Sequence, residues 1–117
     1  MDIVVLDADE KQCQGLCSML EECHYQVTPM HSLPDLERHI QGQGSTCRVV
    51  ILDLDTLPVD KRFFKNLKKI KPSLCIMGLS SCSFHPGLEE AMSRHIYACL
   101  RKPVDEEELV YWIKSLF

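Results

Sequence analysis

Asp7, Asp53, Ser80 and Lys102 each stand at the end of an apolar run, and together they are a set that can bind and accept a phosphoryl group. A carboxylate such as Asp53 can attack phosphorus to give an aspartyl phosphate. That step requires charge neutralisation on donor and acceptor, usually by Mg²⁺ and a lysine. Mg²⁺ takes carboxylates and waters in an octahedral shell. Two carboxylates ~4 Å apart repel by roughly 4 kcal/mol at an effective dielectric near 20, so a cation between Asp7 and Asp53 is favoured. The Ser80 hydroxyl suits one phosphoryl oxygen and the Lys102 ammonium another. Taken singly, each residue has a plainer reading: an acid that caps a helix, a serine in a turn, a proline that stops a strand after Lys102. Their order and their shared position at strand ends carry the chemical reading.

The elements that position them alternate along the whole chain. Residues 2–6, 25–28, 48–53, 74–79 and 97–100 read as strands, and Val49-Val50-Ile51-Leu52 is apolar enough to be buried on both faces. Between them, helices are expected over 10–23, from Ser32, over 60–70, from about Pro86 to His95, and after Asp105. Cys13, Leu16, Cys17 and Leu20 give the first helix its apolar stripe, Leu33, Leu36 and Ile40 the second, and Phe63, Phe64, Leu67 and Ile70 the third. Leu109, Ile113 and Leu116 line the last, where Asp105 and Glu108 have capping-box spacing. Pro29 closes the second strand in this reading.

Five βα units predict a flavodoxin-like (βα)5 fold, a three-layer α/β sandwich around a parallel five-stranded sheet of order 2-1-3-4-5. Ligands then bind outside the carboxyl ends of the strands, where the four residues converge.

The 117 residues fit one domain spanning 1–117, and 45% apolar with 26% charged residues is ordinary for a globular chain. A net charge of −4 argues against direct nucleic-acid binding. No apolar run approaches the ~18 residues of a membrane span. The N-terminus carries Asp2 and Asp7 where a signal peptide would be basic and apolar.

The seven cysteines (13, 17, 23, 47, 75, 82, 99) contain no C-x-x-C pair and read as thiols packed like small hydrophobes, Cys75 and Cys99 within core strands. An odd number of thiols without a signal sequence suits a reducing cytoplasm. The histidines form no metal pattern. The basic residues of the third helix (Lys61, Arg62, Lys65, Lys68, Lys69, Lys71) lie opposite its apolar stripe and read as a solvated face.

The stretches Ile3-Val4-Val5-Leu6-Asp7, Val49-Val50-Ile51-Leu52-Asp53, Ile76-Met77-Gly78-Leu79-Ser80-Ser81 and Leu100-Arg101-Lys102-Pro103-Val104-Asp105 resemble the receiver domain of bacterial two-component response regulators. The resemblance covers essentially the whole chain. It implies that Asp53 accepts a phosphoryl group from a sensor histidine kinase or phosphotransfer protein. It also implies that Ser80 turns toward that group, that Lys102 stabilises it, and that Asp7 and Asp53 hold Mg²⁺. A homodimer through the fourth helix, last strand and fifth helix is implied as well, with Arg94, Tyr97, Arg101, Tyr111 and Trp112 on that surface.

The chain departs from the family pattern at several positions. Ala8 replaces the second acid, which implies a weakened magnesium site supported by Asp9 or Asp55. Pro58 falls five residues after Asp53 where the family commonly has it at four. Cys99 replaces a switching aromatic, and His95 stands where a turn glycine is common, as a left-handed residue. Asp55 is expected to replace the missing acid in part.

Two other readings compete. One is a pseudo-receiver, an interaction module that works without phosphorylation. The other is an enzyme, since Val50-Ile51-Leu52-Asp53-Leu54-Asp55-Thr56-Leu57 also resembles the Asp-x-Asp motif of haloacid-dehalogenase-like phosphatases. That family carries its motif on the opening strand, and the present match starts after two βα units. The expectation is therefore a non-enzymatic signalling domain.

Overall fold

Alternation along the strands builds two apolar faces on one sheet. The computed structural model describes residues 2–42, 47–82 and 94–116. Within them β1 (Asp2–Leu6), α1 (Glu10–Glu22), β2 (Gln26–Met30), α2 (Leu33–Gln41), β3 (Cys47–Asp53), α3 (Lys61–Ile70), β4 (Cys75–Ser80), β5 (Ile96–Arg101) and α4 (Glu106–Leu116) follow one another. The five strands pair in parallel in the order β2-β1-β3-β4-β5, as expected. The helix expected from Pro86 lies outside the described residues except for Arg94 and His95, which are helical.

On one face Val4, Leu6, Val50, Leu52 and Ile76 pack with Leu36 and Ile40 of α2 and Phe63, Phe64 and Leu67 of α3. On the other, Ile3, Val5, Val49, Ile51, Met77, Leu79 and Leu100 meet Cys13, Leu16, Cys17 and Leu20 of α1 and Leu109 and Ile113 of α4. Full burial of a side chain such as Phe64 contributes about 3 kcal/mol. β3 is buried at every position except Arg48, which is why its sequence is a continuous apolar run rather than an alternation.

Side-chain caps start the helices. Asp9 accepts from the N–H groups of Lys11 and Gln12, Ser32 from Asp35, Asp60 from Phe63, and Asp105 from Glu107. α1 ends with His24 N–H donating to Glu21 O and Tyr25 N–H to Leu20 O, which requires a left-handed His24 at φ 69°.

Four expectations are corrected. Left-handed backbone falls on His24 and not on the helical His95. β2 runs through Pro29 to Met30; it is an edge strand, so no second neighbour needs the missing N–H. Cys99 is exposed and Cys75 half-buried, while Cys13, Cys17 and Cys47 are buried. β5 is the other edge, so Ala98 and Leu100 turn to the core while Tyr97, Cys99 and Arg101 turn away. The basic helix is also less uniform than expected. Lys61, Arg62, Lys65 and Lys69 are exposed, but Lys68 donates to Leu74 O and Lys71 to Cys47 O.

Candidate functional site

β1, β3 and β4 end at one level because their registers place Leu6 beside Leu52 and Asp53 beside Leu79. Asp7, Asp53 and Ser80 therefore emerge together, and each is only 1% exposed. Lys102 joins them from the loop after β5, whose backbone is tied to β4 by Lys102 N–H donating to Ser80 O at 3.0 Å. The peptide bond from Lys102 to Pro103 is cis. Polar groups buried this deeply must find partners among themselves, and they do.

The two Asp53 oxygens are used differently. Oδ1 accepts from the N–H groups of Asp55 (2.8 Å) and Thr56 (3.2 Å), which fixes the plane of the carboxylate. Oδ2 faces the Lys102 ammonium at 2.5 Å and also accepts from the Gln12 side-chain amide. Asp7 is held in the same fashion: Oδ1 accepts from Asp9 N–H (2.9 Å) and the Thr56 hydroxyl (3.0 Å), and Oδ2 accepts from Gln12. His31 Nδ1 lies 2.9 Å from Asp7 O, tying the first loop to the end of β2.

Gln12 thus bridges Asp7 and Asp53, bringing partial positive charge between two buried acids. The donor chemistry there, two carboxylate oxygens converging on one point, fits a Mg²⁺ ion completed by waters. Among the described residues no third acid, histidine or cysteine completes the group. Asp9 spends its carboxylate on the α1 cap. Asp55 turns the other way.

The Asp55 carboxylate, 23% exposed, accepts from the Ser80 hydroxyl at 2.7 Å, Ser81 N–H at 2.8 Å and the Ser81 hydroxyl at 3.0 Å. Lys102 Nζ lies 3.2 Å from the same group. Burial alone would raise the Asp55 pKa, but the hydrogen bonds from Ser80, Ser81 and Lys102 outweigh it and hold the carboxyl well below its ordinary value. For Lys102, burial alone would lower the pKa. Asp53 and Asp55 outweigh that and raise it, so the ammonium is the form the pocket favours.

The structure brings together Asp7, Asp53, Ser80, Lys102 and Asp55; Ala8 is exposed, and its N–H donates to the Thr56 hydroxyl at 3.2 Å. Three contributors escaped the sequence reading. Thr56 lies in the loop after a motif already singled out, and its hydroxyl reaches Asp7 only once β1 and β3 pair. Ser81 contributes chiefly a backbone N–H, which no side-chain pattern announces. Gln12 did carry a signal, since it stands three residues after the cap Asp9 where a capping-box glutamine would reach back to the cap N–H. That N–H is taken by Asp7, and Gln12 points into the pocket instead.

No family model and no curated protein matches the sequence. Solved structures do match. A response regulator receiver domain protein from Clostridium thermocellum is 25% identical, with a TM-score of 0.79 over 98% of this chain and 92% of that one. The beryllofluoride-activated NtrC4 receiver domain dimer is 23% identical, with a TM-score of 0.85 over 99% and 95%. A CheY-like receiver domain protein from Methanospirillum hungatei is 16% identical, with a TM-score of 0.83 over 97% and 90%. The chain therefore has the fold of response regulator receiver domains, and the resemblance carried by the strand-end residues extends to the whole architecture.

Proposed function

We propose that this chain is a receiver-type signalling domain that takes a phosphoryl group on Asp53 from a sensor histidine kinase or a phosphotransfer protein. One observation carries the reading: Asp53 is buried with Oδ1 locked by two N–H groups, which leaves Oδ2 as the oxygen facing a lysine. Asp53 Oδ2 forms the new bond to phosphorus as the bond from phosphorus to the donor imidazole nitrogen breaks. The electron pair leaves with that nitrogen, and its basicity is taken up by a proton from water. Lys102 would pair with the charge on the transferred group, and the Ser80 hydroxyl and Ser81 N–H would donate to its oxygens on leaving Asp55. Mg²⁺, when bound, would be held by Asp7 and Asp53 and would neutralise charge on acceptor and donor.

The phosphatase reading loses support, because Asp55 is engaged by four donors and is not poised as a general acid/base. Reduced thiols and a phosphorelay partner suit the cytoplasm. Tyr97 and Tyr111, 46% and 66% exposed, each stack edge-on against Trp112 and offer an aromatic surface for a homodimer.

Intact-mass spectrometry after incubation with Mg²⁺ and acetyl phosphate tests the reading. One added phosphoryl group is expected on the parent and none on Asp53→Asn. No gain on either, even with Mg²⁺ in large excess, would favour the second reading, an interaction module independent of phosphorylation. That reading draws its own support from Gln12 and Asp55, which already satisfy the groups that metal and phosphoryl would engage.

A further inference from the structure

We propose that Asp55 is a resident anion: its carboxylate holds the Ser80 hydroxyl, the Ser81 N–H and the Lys102 ammonium together, and any phosphoryl group arriving on Asp53 must displace it from them. Only the displacement clause rests on Asp53 as acceptor. The holding of the donors stands without it.

The contact is built by the fold. Leu54 N–H donates to Leu79 O at 2.9 Å, which carries the segment after Asp53 across the end of β4. The Leu54 side chain lies over Gly78, where an added Cβ would stand 3.0 Å from Leu54 Cδ1. That crossing turns residue 55 toward Ser80 and away from Asp7. The Ser80 hydroxyl oxygen accepts from Cys82 N–H at 3.0 Å, so its own proton is directed to Asp55 Oδ1. Oδ2 collects Ser81 N–H, the Ser81 hydroxyl and Lys102. An anion with two oxygens, one serine hydroxyl, one backbone N–H and one ammonium is the recognition chemistry of a bound phosphoryl group. Here the chain itself supplies the anion.

Two consequences follow. The Ser80 side of the pocket is set in its donor-engaged arrangement before any phosphoryl group arrives. And Asp55 raises the barrier to capture of an external anion, because charge and donors are already matched.

Backbone-amide NMR on the parent, Asp55→Ala and Asp55→Asn tests both, with inorganic phosphate and Mg²⁺-beryllofluoride as probes. Without either probe, the Ser81 amide of Asp55→Ala should shift and exchange its hydrogen roughly tenfold faster, as expected for loss of a charged acceptor. Asp55→Asn, which keeps the shape, should fall between the two. Inorganic phosphate should restore the Ser81 amide of Asp55→Ala and leave the parent unchanged. Beryllofluoride should bind Asp55→Ala roughly tenfold more tightly than the parent. An unchanged Ser81 amide in both variants would overturn the proposal outright. Equal or weaker beryllofluoride binding by Asp55→Ala would overturn the displacement clause and make Asp55 a helper of the incoming group. If no protein binds beryllofluoride, the Asp53 reading fails, and Ser81 exchange with phosphate rescue still decides whether Asp55 holds the donors.

Discussion

The interior beneath the sheet and the pocket at its carboxyl edge are both buried, yet they satisfy burial by opposite means. Phe63, Phe64, Leu67, Leu36 and Ile76 belong to one apolar cluster, where stability comes from filled volume. At the strand ends Asp7, Asp53 and Ser80 are as deeply buried, and each is stabilised by a named partner at hydrogen-bond distance. Volume is shared among many neighbours, so a core position degrades gradually. A polar pocket depends on each donor, and its partners are function and stability at once.

The largest expected effect lies in the core. Phe64→Ala should cost about 3–5 kcal/mol by leaving a cavity under β3 and β4. Urea denaturation measures it, and the phosphoryl uptake proposed for Asp53 should be unaltered in the remaining folded protein. A loss below about 1 kcal/mol would erase the contrast between core and pocket.

Lys102→Met comes next. It leaves Asp53 and Asp55 without their ammonium, and because Lys102 is 18% exposed the expected loss is about 2 kcal/mol, below that of a fully buried pair. A thermal melt of equal stability would mean that the Gln12 amide and the Asp55 and Thr56 N–H groups compensate Asp53 without the ammonium.

Gln12→Ala should be smaller still, about 1 kcal/mol, since one neutral donor is lost from two carboxylates. Its distinguishing sign is a melting temperature that rises with added Mg²⁺ more than the parent's and falls back with chelator. Equal Mg²⁺ response in both proteins would remove Gln12 from the cation position.

The smallest effect is in pH dependence. The Asp55 carboxyl is held below its ordinary 3.8 in the folded protein, so its contribution is present above that value and lost as pH falls below it. Asp55→Asn lacks this contribution, and its stability should decline less between about pH 4 and about pH 2 than the parent's. An identical decline would assign the acid sensitivity to other carboxylates.

The layers and the residues at the strand ends were legible from the order of amino acids. Apolar runs such as Val49 to Leu52 are satisfied between two helical layers, and right-handed βα alternation leaves a few doubly wound orders, of which the leading one, 2-1-3-4-5, is the order adopted. The edge strands were less legible because each has a neighbour on one side alone. Pro29 and Cys99 are tolerated there for that reason. Tertiary structure decided the allegiance of the pocket's side chains. Asp55 lies two residues from Asp53, a spacing compatible with either flank. The Leu54 crossing over Gly78 sends it to Ser80 and Ser81. Gln12 stands at capping-box spacing from Asp9, but the Asp9 N–H is taken by Asp7 and the Gln12 amide enters the pocket. Strand ends follow from hydrophobic pattern, which is local and periodic; hydrogen-bond partners follow from which groups meet after the strands pair, and that is settled only in three dimensions.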